Sequence, residues 1–352
     1  SALGGSAAAA TALAAPAYAQ GNRTLTMVTS VPDGFAIFDD AAQMAATAIT
    51  EMTDGQLTIN KMPAGSLVGA FEVFDAVSSG QADLYHSAEY YFLNQHPAFA
   101  FFTSVPFGMT GVETLAWYYH RGGKELHHNL ASLFNLKPFL CGNTAMQPGG
   151  WFNTEINSAD DLQGLRFRMP GQGGQVLGVL GASVQNIPGG EIYQALASGQ
   201  IDGAEWIGPF ADERMGFQEV TSTYYTSGFH EPGSALALSM NLEVWESLTP
   251  AQQKIVEVAC EATHANNLGM SWAENGTALS RLQSAGVQVR EFPDDVWDAF
   301  GRAAAEVREA NMSDPLYAEI ANSYFASIEE TSGWWEIGDG EYIRQRNRVN
   351  AG

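Results

Sequence analysis

The feature that most constrains this chain is a ten-residue segment written twice. Phe74–Asp83 (FDAVSSGQAD) and Tyr193–Asp202 (YQALASGQID) correspond position by position, with Gly80 and Gly199 separated by 119 residues. The physical content is a helix ending at a glycine, then a strand that opens on an aspartate. Glycine takes the left-handed conformation of a helix C-cap without steric cost. Solenoid repeats recur every 20–50 residues or so, and this spacing is far wider. Two readings stand: the same supersecondary unit built once into each of two similar lobes, or chance likeness of a common helix–glycine–strand unit. With equivalent lobes, Leu84–Glu89 and Gly203–Pro209 lie at matching strand ends. Open α/β sheets bind ligands beyond the carboxyl ends of their strands. The two segments are therefore expected to face each other across a cleft.

Their residues fit that expectation. Gly203-Ala204-Glu205-Trp206-Ile207-Gly208-Pro209 puts a carboxylate and a large ring where a core strand would favour Val or Ile. Tyr85-His86-Ser87-Ala88-Glu89-Tyr90-Tyr91 is a polar and aromatic counterpart. Trp206 alone reads equally as a core aromatic, but Glu205 beside it and the repeat behind it favour a ligand-facing role. His86 reads as well as a hydrogen-bonded structural histidine as it does as a ligand contact. Between the repeats, Leu165, Phe167 and Met169 alternate with Arg166 and Arg168, the pattern of a half-buried strand carrying two guanidinium groups on one face. A guanidinium fork suits a carboxylate held by two hydrogen bonds. By pattern alone, two solvated arginines on an exposed face is the better reading.

The rest of the chain alternates strands and helices. Arg23–Val31 and Gln56–Lys61 read as strands; Asp39–Met52, with Asp39 as its cap, and Phe71–Ser78 read as helices. A βαβα rhythm predicts largely parallel sheets flanked by helices. Thr249-Pro250 opens a helical pattern running towards Ala285, long enough to span more than one lobe. The fold expected is an α/β, two-lobed binding-protein fold, each lobe a mixed sheet flanked by helices, with a long helix across both. Its divisions are 1–20 as an export leader remnant, 21–142 plus about 229–268 as lobe 1, 143–228 plus about 269–332 as lobe 2, and 333–352 as a C-terminal tail.

Charge and cysteine usage narrow the partners. Sixteen Lys and Arg against thirty-nine Asp and Glu give a net charge of −23. Nucleic acid is not expected as a partner, because phosphates must be met by basic side chains. Such an acidic surface also keeps a chain soluble and is screened by salt, which fits a saline habitat. Cys141 and Cys260 form neither a metal spacing nor a CxxC pair, and read as two buried thiols. At the N-terminus, Ser1–Ala15 is small and mildly apolar, and Pro16 precedes Ala17-Tyr18-Ala19, an A-x-A cleavage signal. The leader is expected to begin upstream of Ser1; its modest hydrophobicity is that of a twin-arginine leader, whose arginines do not occur in this stretch, and a disordered Ala-rich tail is the plainer alternative. Nothing after Gln20 approaches eighteen consecutive apolar residues, so an exported protein without a membrane anchor is expected.

Catalytic signatures are missing from the sequence. No GxSxG elbow, HExxH, GxxxxGK[ST] or nucleophilic Cys–His context occurs. Gly171-Gln172-Gly173-Gly174 lacks dinucleotide-binding spacing and reads as a loop turning tightly into a helix from Gln175. No catalytic residue is assigned, and the chain is not expected to be an enzyme.

Five motifs in order carry a resemblance. They are the doubled SGQxD; Gly164-Leu165-x-x-Arg168-x-Pro170; Gly142-Asn143-Thr144 leading to Gln147-x-Gly149-Gly150-Trp151-Phe152; Pro97–Phe102 with Val105–Gly108; and Gly203–Pro209. From about Thr24 to the C-terminal helices the chain resembles the solute receptors of tripartite ATP-independent periplasmic (TRAP) transporters, closest to the branch binding 2-oxo and 2-hydroxy monocarboxylates with a metal cation. The resemblance implies that Arg168 clamps the substrate carboxylate while Arg166 only flanks it. Gln147, Glu205 and the backbone oxygen of Trp206 match the residues that hold a sodium or calcium ion, and Asn143 matches a polar contact to the acid. Substrate contacts are thus expected at Arg168, Asn143, Gln147, Trp206, Glu205, Tyr90 and His86. Where the branch carries a small residue before the Tyr-Tyr pair this chain has Glu89, a departure that bears on the pocket floor and on which acid is bound. Capture by closure of the lobes in the periplasm is implied, with delivery to a small and a large membrane subunit. Members of the branch also pair through C-terminal helices. Trp334-Trp335 fits such a homodimer, or packs on its own lobe. A larger branched or aromatic carboxylate as ligand, and a receptor for an ATP-driven importer, are the alternatives.

Overall fold

The computed structural model describes residues 22–350, so the expected leader lies outside the described residues. Eleven strands form two sheets: β1 (Arg23–Thr29), β2 (Leu57–Met62), β3 (Leu84–Ser87), β4 (Leu136–Asn143), β5 (Gly150–Phe152), β6 (Arg166–Arg168), β7 (Ser183–Gln185), β8 (Gly203–Ala204), β9 (Thr223–Tyr225), β10 (Ala235–Asn241) and β11 (Gln288–Arg290). The first sheet has the order β2-β1-β3-β10-β4 and the second β11-β9-β5-β8-β6-β7. In the first, β1 runs parallel to β2 and β3 while β10 is antiparallel to β3 and β4. In the second, β6 runs parallel to β7 and β8, β11 parallel to β9, and β5 antiparallel to β8 and β9. Two mixed sheets flanked by helices are the architecture expected.

The doubled segment occupies equivalent places. Helices Val73–Ser78 and Ile192–Ala197 stop before Gly80 (φ 81°) and Gly199 (φ 69°), both in the left-handed region that favours glycine. Asp83 and Asp202 then do the same work: Asp83 Oδ2 accepts from the Thr26 N–H at 2.7 Å, and Asp202 Oδ2 from the Arg166 N–H at 2.9 Å. Each aspartate thus ties the start of its strand to the neighbouring parallel strand, so the repeat is structural in both lobes.

The chain passes between the sheets after β4 and after β9, and a 35-residue helix, Pro250–Ser284, lies against both. Thr249 and Gln252 form a capping box at its start, with Pro250 at the first helical position. It packs on β4 and helix Phe38–Met52 of the first sheet and on helix Pro209–Met215 beyond β8 of the second. One face of the first sheet is sealed by Leu25, Met27, Phe139, Leu238 and the two cysteines, both free and buried. The second sheet packs Phe152, Phe167, Phe292 and Phe300. A third and larger apolar cluster, from Phe74 and Tyr85 to Trp151 and Trp206, runs without interruption between the two sheets.

Two local expectations are corrected. Asp39 is not the cap of the first helix. Ile37 holds that position, its N–H is accepted by Asp40 Oδ2 at 2.8 Å, and Asp39 instead accepts from Gly34. The Gly171–Gly174 run is not a loop but the first turn of helix Gly171–Val179. At the C-terminus, helix Pro315–Trp335 continues through Glu336–Gly340 into helix Glu341–Asn350, none of whose residues is buried. Among the described residues no helix is long and apolar enough to cross a membrane.

Candidate functional site

Arg168 is the last residue of β6 and is only 1% exposed, whereas Arg166 lies exposed in an ion pair with Asp202. The alternation expectation of two solvated arginines fails at Arg168, because the carboxyl end of the strand runs under the opposite lobe. Arg168 Nε donates to the Ile187 carbonyl at 3.0 Å. Nη1 donates to the Glu205 carbonyl at 3.1 Å and to the Glu205 carboxylate, and Nη2 has no partner. The guanidinium carbon stands 5.5 Å from the Trp206 ring centre.

Glu205 and Trp206 leave the end of β8 in a loop held from beneath by Asp212. Asp212 Oδ1 accepts from the N–H groups of Ile207 (3.1 Å) and Gly208 (2.9 Å); Oδ2 accepts from Trp151 Nε1 and the Tyr224 hydroxyl, each at 2.9 Å. Asp212 escaped the sequence reading. Its only signal was an acidic residue in the first turn of a helix that Pro209 opens. On the ring side, Trp206 rests on Gly189, where a Cβ would lie 2.3 Å from the indole Cη2.

Gln147 and Glu231 sit on the two connections that pass between the sheets, and these connections pair. Gln147 N–H donates to the Glu231 carbonyl at 3.0 Å, and Gly228 N–H to the Gln147 carbonyl at 2.9 Å. Gln147 Nε2 donates to Glu231 Oε2 at 2.6 Å and to Thr144 Oγ1 at 3.1 Å, which leaves Gln147 Oε1 without a partner. Glu231 Oε2 also accepts from the Ser234 hydroxyl and, at 3.5 Å, from Tyr90. His230 Nε2 lies 3.6 Å from Glu205 Oε2, an oxygen that has no hydrogen-bond partner. Glu205, His230 and Glu231, all buried, offer ligand atoms within 4.8 Å of one another. His230 and Glu231 were missed from the sequence. A His-Glu pair before Pro232-Gly233 carries no periodicity, and only the return of the chain between the sheets brings it here.

The electrostatics follow from burial. Glu205 is pushed up to about 7 by loss of water, against the pull of Arg168. Glu231 is likewise pushed up to about 7 by burial and then by the neighbouring Glu205 charge. Burial takes His230 down to about 4, so it is neutral near pH 7. The Tyr91 hydroxyl is pushed up to about 12 by burial, with the Arg168 guanidinium pulling it back. The pocket thus sets two carboxyl groups, both made weaker acids by burial, against one guanidinium, beside unpartnered oxygens on Gln147 and Glu205. Hard oxygen donors of this kind fit sodium or calcium.

Three expected residues lie apart from this cluster. His86 is fully buried, Nε2 against the Cys141 carbonyl at 2.8 Å, with its ring edge-on to Phe38, which in turn stacks on Trp206. It stands one layer behind the site. Asn143 spends its side chain on the local backbone: Oδ1 accepts from Ala145 N–H at 2.8 Å and Nδ2 donates to Gly233 at 3.4 Å. Glu89 does not line a pocket floor. It points into the first lobe and pairs with His127.

Residues 27–314 match the model of the family described as bacterial extracellular solute-binding protein, family 7. The chain is 37% identical over 317 residues to a monocarboxylate 2-oxoacid-binding periplasmic protein of Nostoc sp., covering 90% of this chain and 87% of that one. A TRAP periplasmic solute-binding protein of Pseudoalteromonas atlantica, solved with bound sodium and pyruvate, superposes with a TM-score of 0.89 at 38% identity, over 92% of this chain and 99% of that one. A TRAP transporter solute-binding protein of Bordetella bronchiseptica, a mixed-occupancy dimer with calcium and picolinate, gives a TM-score of 0.92 at 32% identity, over 94% and 99%.

Proposed function

Since this chain belongs to family 7 of the bacterial extracellular solute-binding proteins, as a solute receptor of a TRAP transporter and not an enzyme, we propose that its cleft binds a 2-oxo or 2-hydroxy monocarboxylate together with a sodium or calcium ion. The observation that carries this reading is a set of unpartnered buried atoms: Arg168 Nη2 on one side, Gln147 Oε1 and Glu205 Oε2 on the other. A free guanidinium arm asks for an anion, and two free hard oxygens beside the Glu231 carboxylate ask for a cation. An acid that carries an oxygen next to its carboxylate serves both.

In this reading Arg168 takes the carboxylate on its free Nη2 arm, which the rigid guanidinium plane aims while its other nitrogens stay engaged, a geometry that an ammonium cannot copy. Gln147, Glu205 and the Trp206 carbonyl hold the cation, and Glu231 joins them through its place in the carboxylate cluster. Tyr90 and Tyr91 wall the opening. They line a groove of about 460 Å³ shared with Met169, Pro170 and Gly171, through which the ligand would pass. The lobes divide at the two connections and along the long helix, 21–142 plus about 229–268 against 143–228 plus about 269–309, while helix Pro315–Trp335, expected in the second lobe, packs back on the first through Phe101 and Trp117. Export to the periplasm belongs to the same reading, supported by Ala17-Tyr18-Ala19 and by the family's description. So does pairing of two copies through the C-terminal helical run, which leaves Trp334, Ile337 and Tyr342 exposed; sedimentation of the wild type against Trp334→Asp tests it. The ligand reading is tested by calorimetric titration of pyruvate after chelation and desalting into sodium-free buffer. Binding should appear on return of calcium or sodium, and full affinity without either ion would overturn the cation's role.

A further inference from the structure

Outside the cleft, one cluster of ionisable groups is not used by this reading. Glu89 and His127 are both 0% exposed and in contact through Glu89 Oε2 and His127 Nε2. Glu89 Oε1 accepts from the Tyr85 hydroxyl and the Ser239 hydroxyl, each at 3.0 Å. The other ring nitrogen of His127 meets the Tyr118 hydroxyl at 3.2 Å, and its ring stacks on Phe102 with centres 4.0 Å apart at 7°. The carboxylate is thereby held from β3, from β10 and from helix Gly123–Ser132, with helix Gly111–His120 behind the histidine.

Glu89 is also the first residue of the single 3-10 turn Glu89–Phe92, whose next two residues are Tyr90 and Tyr91. Tyr90 is anchored by its N–H on Thr103 Oγ1 at 3.2 Å and reaches Glu231 at 3.5 Å. Its ring packs so close to Gly171 that a Cβ there would lie 3.1 Å from Tyr90 Cγ. We propose that Glu89 and His127 are a positioning pair for the ligand site: their buried contact fixes the turn from which Tyr90 and Tyr91 meet the opposite lobe.

The physical argument is one of cost. Stripping water from two ionisable groups is expensive, and apolar residues of similar volume usually give equal or better stability. What the pair adds is direction. Three hydrogen-bonding groups set the angle and depth of Glu89, where apolar packing would let a one-turn helix slide. Groups that support a binding constellation must hold it to a fraction of an ångström. The pairing also turns a carboxylate one residue from the cleft away from a pocket already rich in them.

The proposal rests on the reading of the cleft above, so wild-type titration with pyruvate and calcium comes first. If the wild type binds nothing, premise and proposal fall together before any variant is made. With binding established, Glu89→Leu/His127→Leu is compared for melting temperature and affinity. The expected result is a folded protein of near wild-type melting temperature whose affinity is weaker on the order of tenfold, the scale of effect that sub-ångström misplacement produces. Unchanged affinity in the folded double variant overturns the proposal. If that variant does not fold, Tyr85→Phe/Ser239→Ala removes two oxygens from the frame with little change of volume. Weaker binding at an unchanged melting temperature then supports positioning, and wild-type affinity overturns it.

Discussion

Arg166 gives its guanidinium to Asp202 and the Gly199 carbonyl at the surface, while Arg168 keeps one arm free inside the cleft. Arg168→Ala should therefore weaken acid binding by about 2–5 kcal/mol, most of it the cost of leaving a buried charge unpaired. Arg168→Lys should also weaken it, and Arg166→Ala should change it by less than about 0.5 kcal/mol, as surface substitutions do. Calorimetry on the three variants checks this; equal losses at both arginines would mean that Arg168 is not the clamp. The distinction was not legible from alternation, since a period of two puts both arginines on one face and says nothing of what covers the strand's end. It came from the resemblance alone, as did Gln147. Glu231, His230 and Asp212 came from neither, because their roles depend on contacts between segments distant in the chain. His264 on the long helix offers a test by pH. Burial pushes it down to about 4, while the unfolded chain titrates near 6.5. As pH falls through that window the unfolded state takes the proton first, so this group's contribution to stability is present above about 6.5 and lost by about 4, up to roughly 3 kcal/mol. Buried carboxyls raised by burial run the opposite way, so the readout is a difference. The melting temperature of His264→Gln should fall less than that of wild type between about pH 7 and 4.5.

Elements were easier to read than residues where local chemistry decides them. Thr249-Pro250 marked the start of the long helix because capping and the first-turn proline are properties of neighbouring residues. The doubled Ser-Gly-Gln-x-Asp marked equivalent strand starts because the glycine and the aspartate act within their own unit. Gly171–Gly174 misled for a tertiary reason. Glycine is a poor helix former, yet a Cβ at Gly174 would lie 2.3 Å from the Met169 carbonyl oxygen and one at Gly173 2.7 Å from His230 Cβ. The helix accepts weak propensity in exchange for closeness to the site. Gly189 is the same kind of position, and it yields a prediction. Its hydrogen faces Trp206, so Gly189→Ala must displace either the indole or the 3-10 turn Gly189–Glu191. Overpacking of this size costs about 1–3 kcal/mol. Because the Trp206 carbonyl belongs to the proposed cation set, acid affinity in calcium should fall along with the melting temperature. A variant that loses stability yet keeps full affinity would remove Trp206 from that set.

At the scale of the whole molecule, the site belongs to neither lobe. Arg168 ends one strand of the second sheet and Glu205 follows another, Tyr90 and Tyr91 project from the turn after β3 of the first, and Gln147 and Glu231 ride on the connections between them. Such a site is complete only when the lobes are together, so a ligand stabilises closure by its differential affinity for the closed form. Charge decides which ligand can do this. With both carboxyls ionised, as holding a cation requires, Glu205 and Glu231 against the Arg168 guanidinium leave a deficit of one positive charge, with His230 neutral. An incoming monocarboxylate doubles the deficit. Sodium halves it and calcium cancels it, and like charges brought together in a low-dielectric cleft repel strongly. Calcium should therefore support tighter acid binding than sodium, and binding energies must be reciprocal: the factor by which calcium raises pyruvate affinity is the factor by which pyruvate raises calcium affinity. The measurement is a pair of titrations, pyruvate at fixed calcium or sodium and each ion at fixed pyruvate, with small-angle scattering alongside to follow compaction. Compaction should require acid and cation together. A site that binds pyruvate equally well in both ions, or closes on pyruvate alone, would mean that Glu231 is protonated in the complex and that the deficit is met by a proton rather than by a metal.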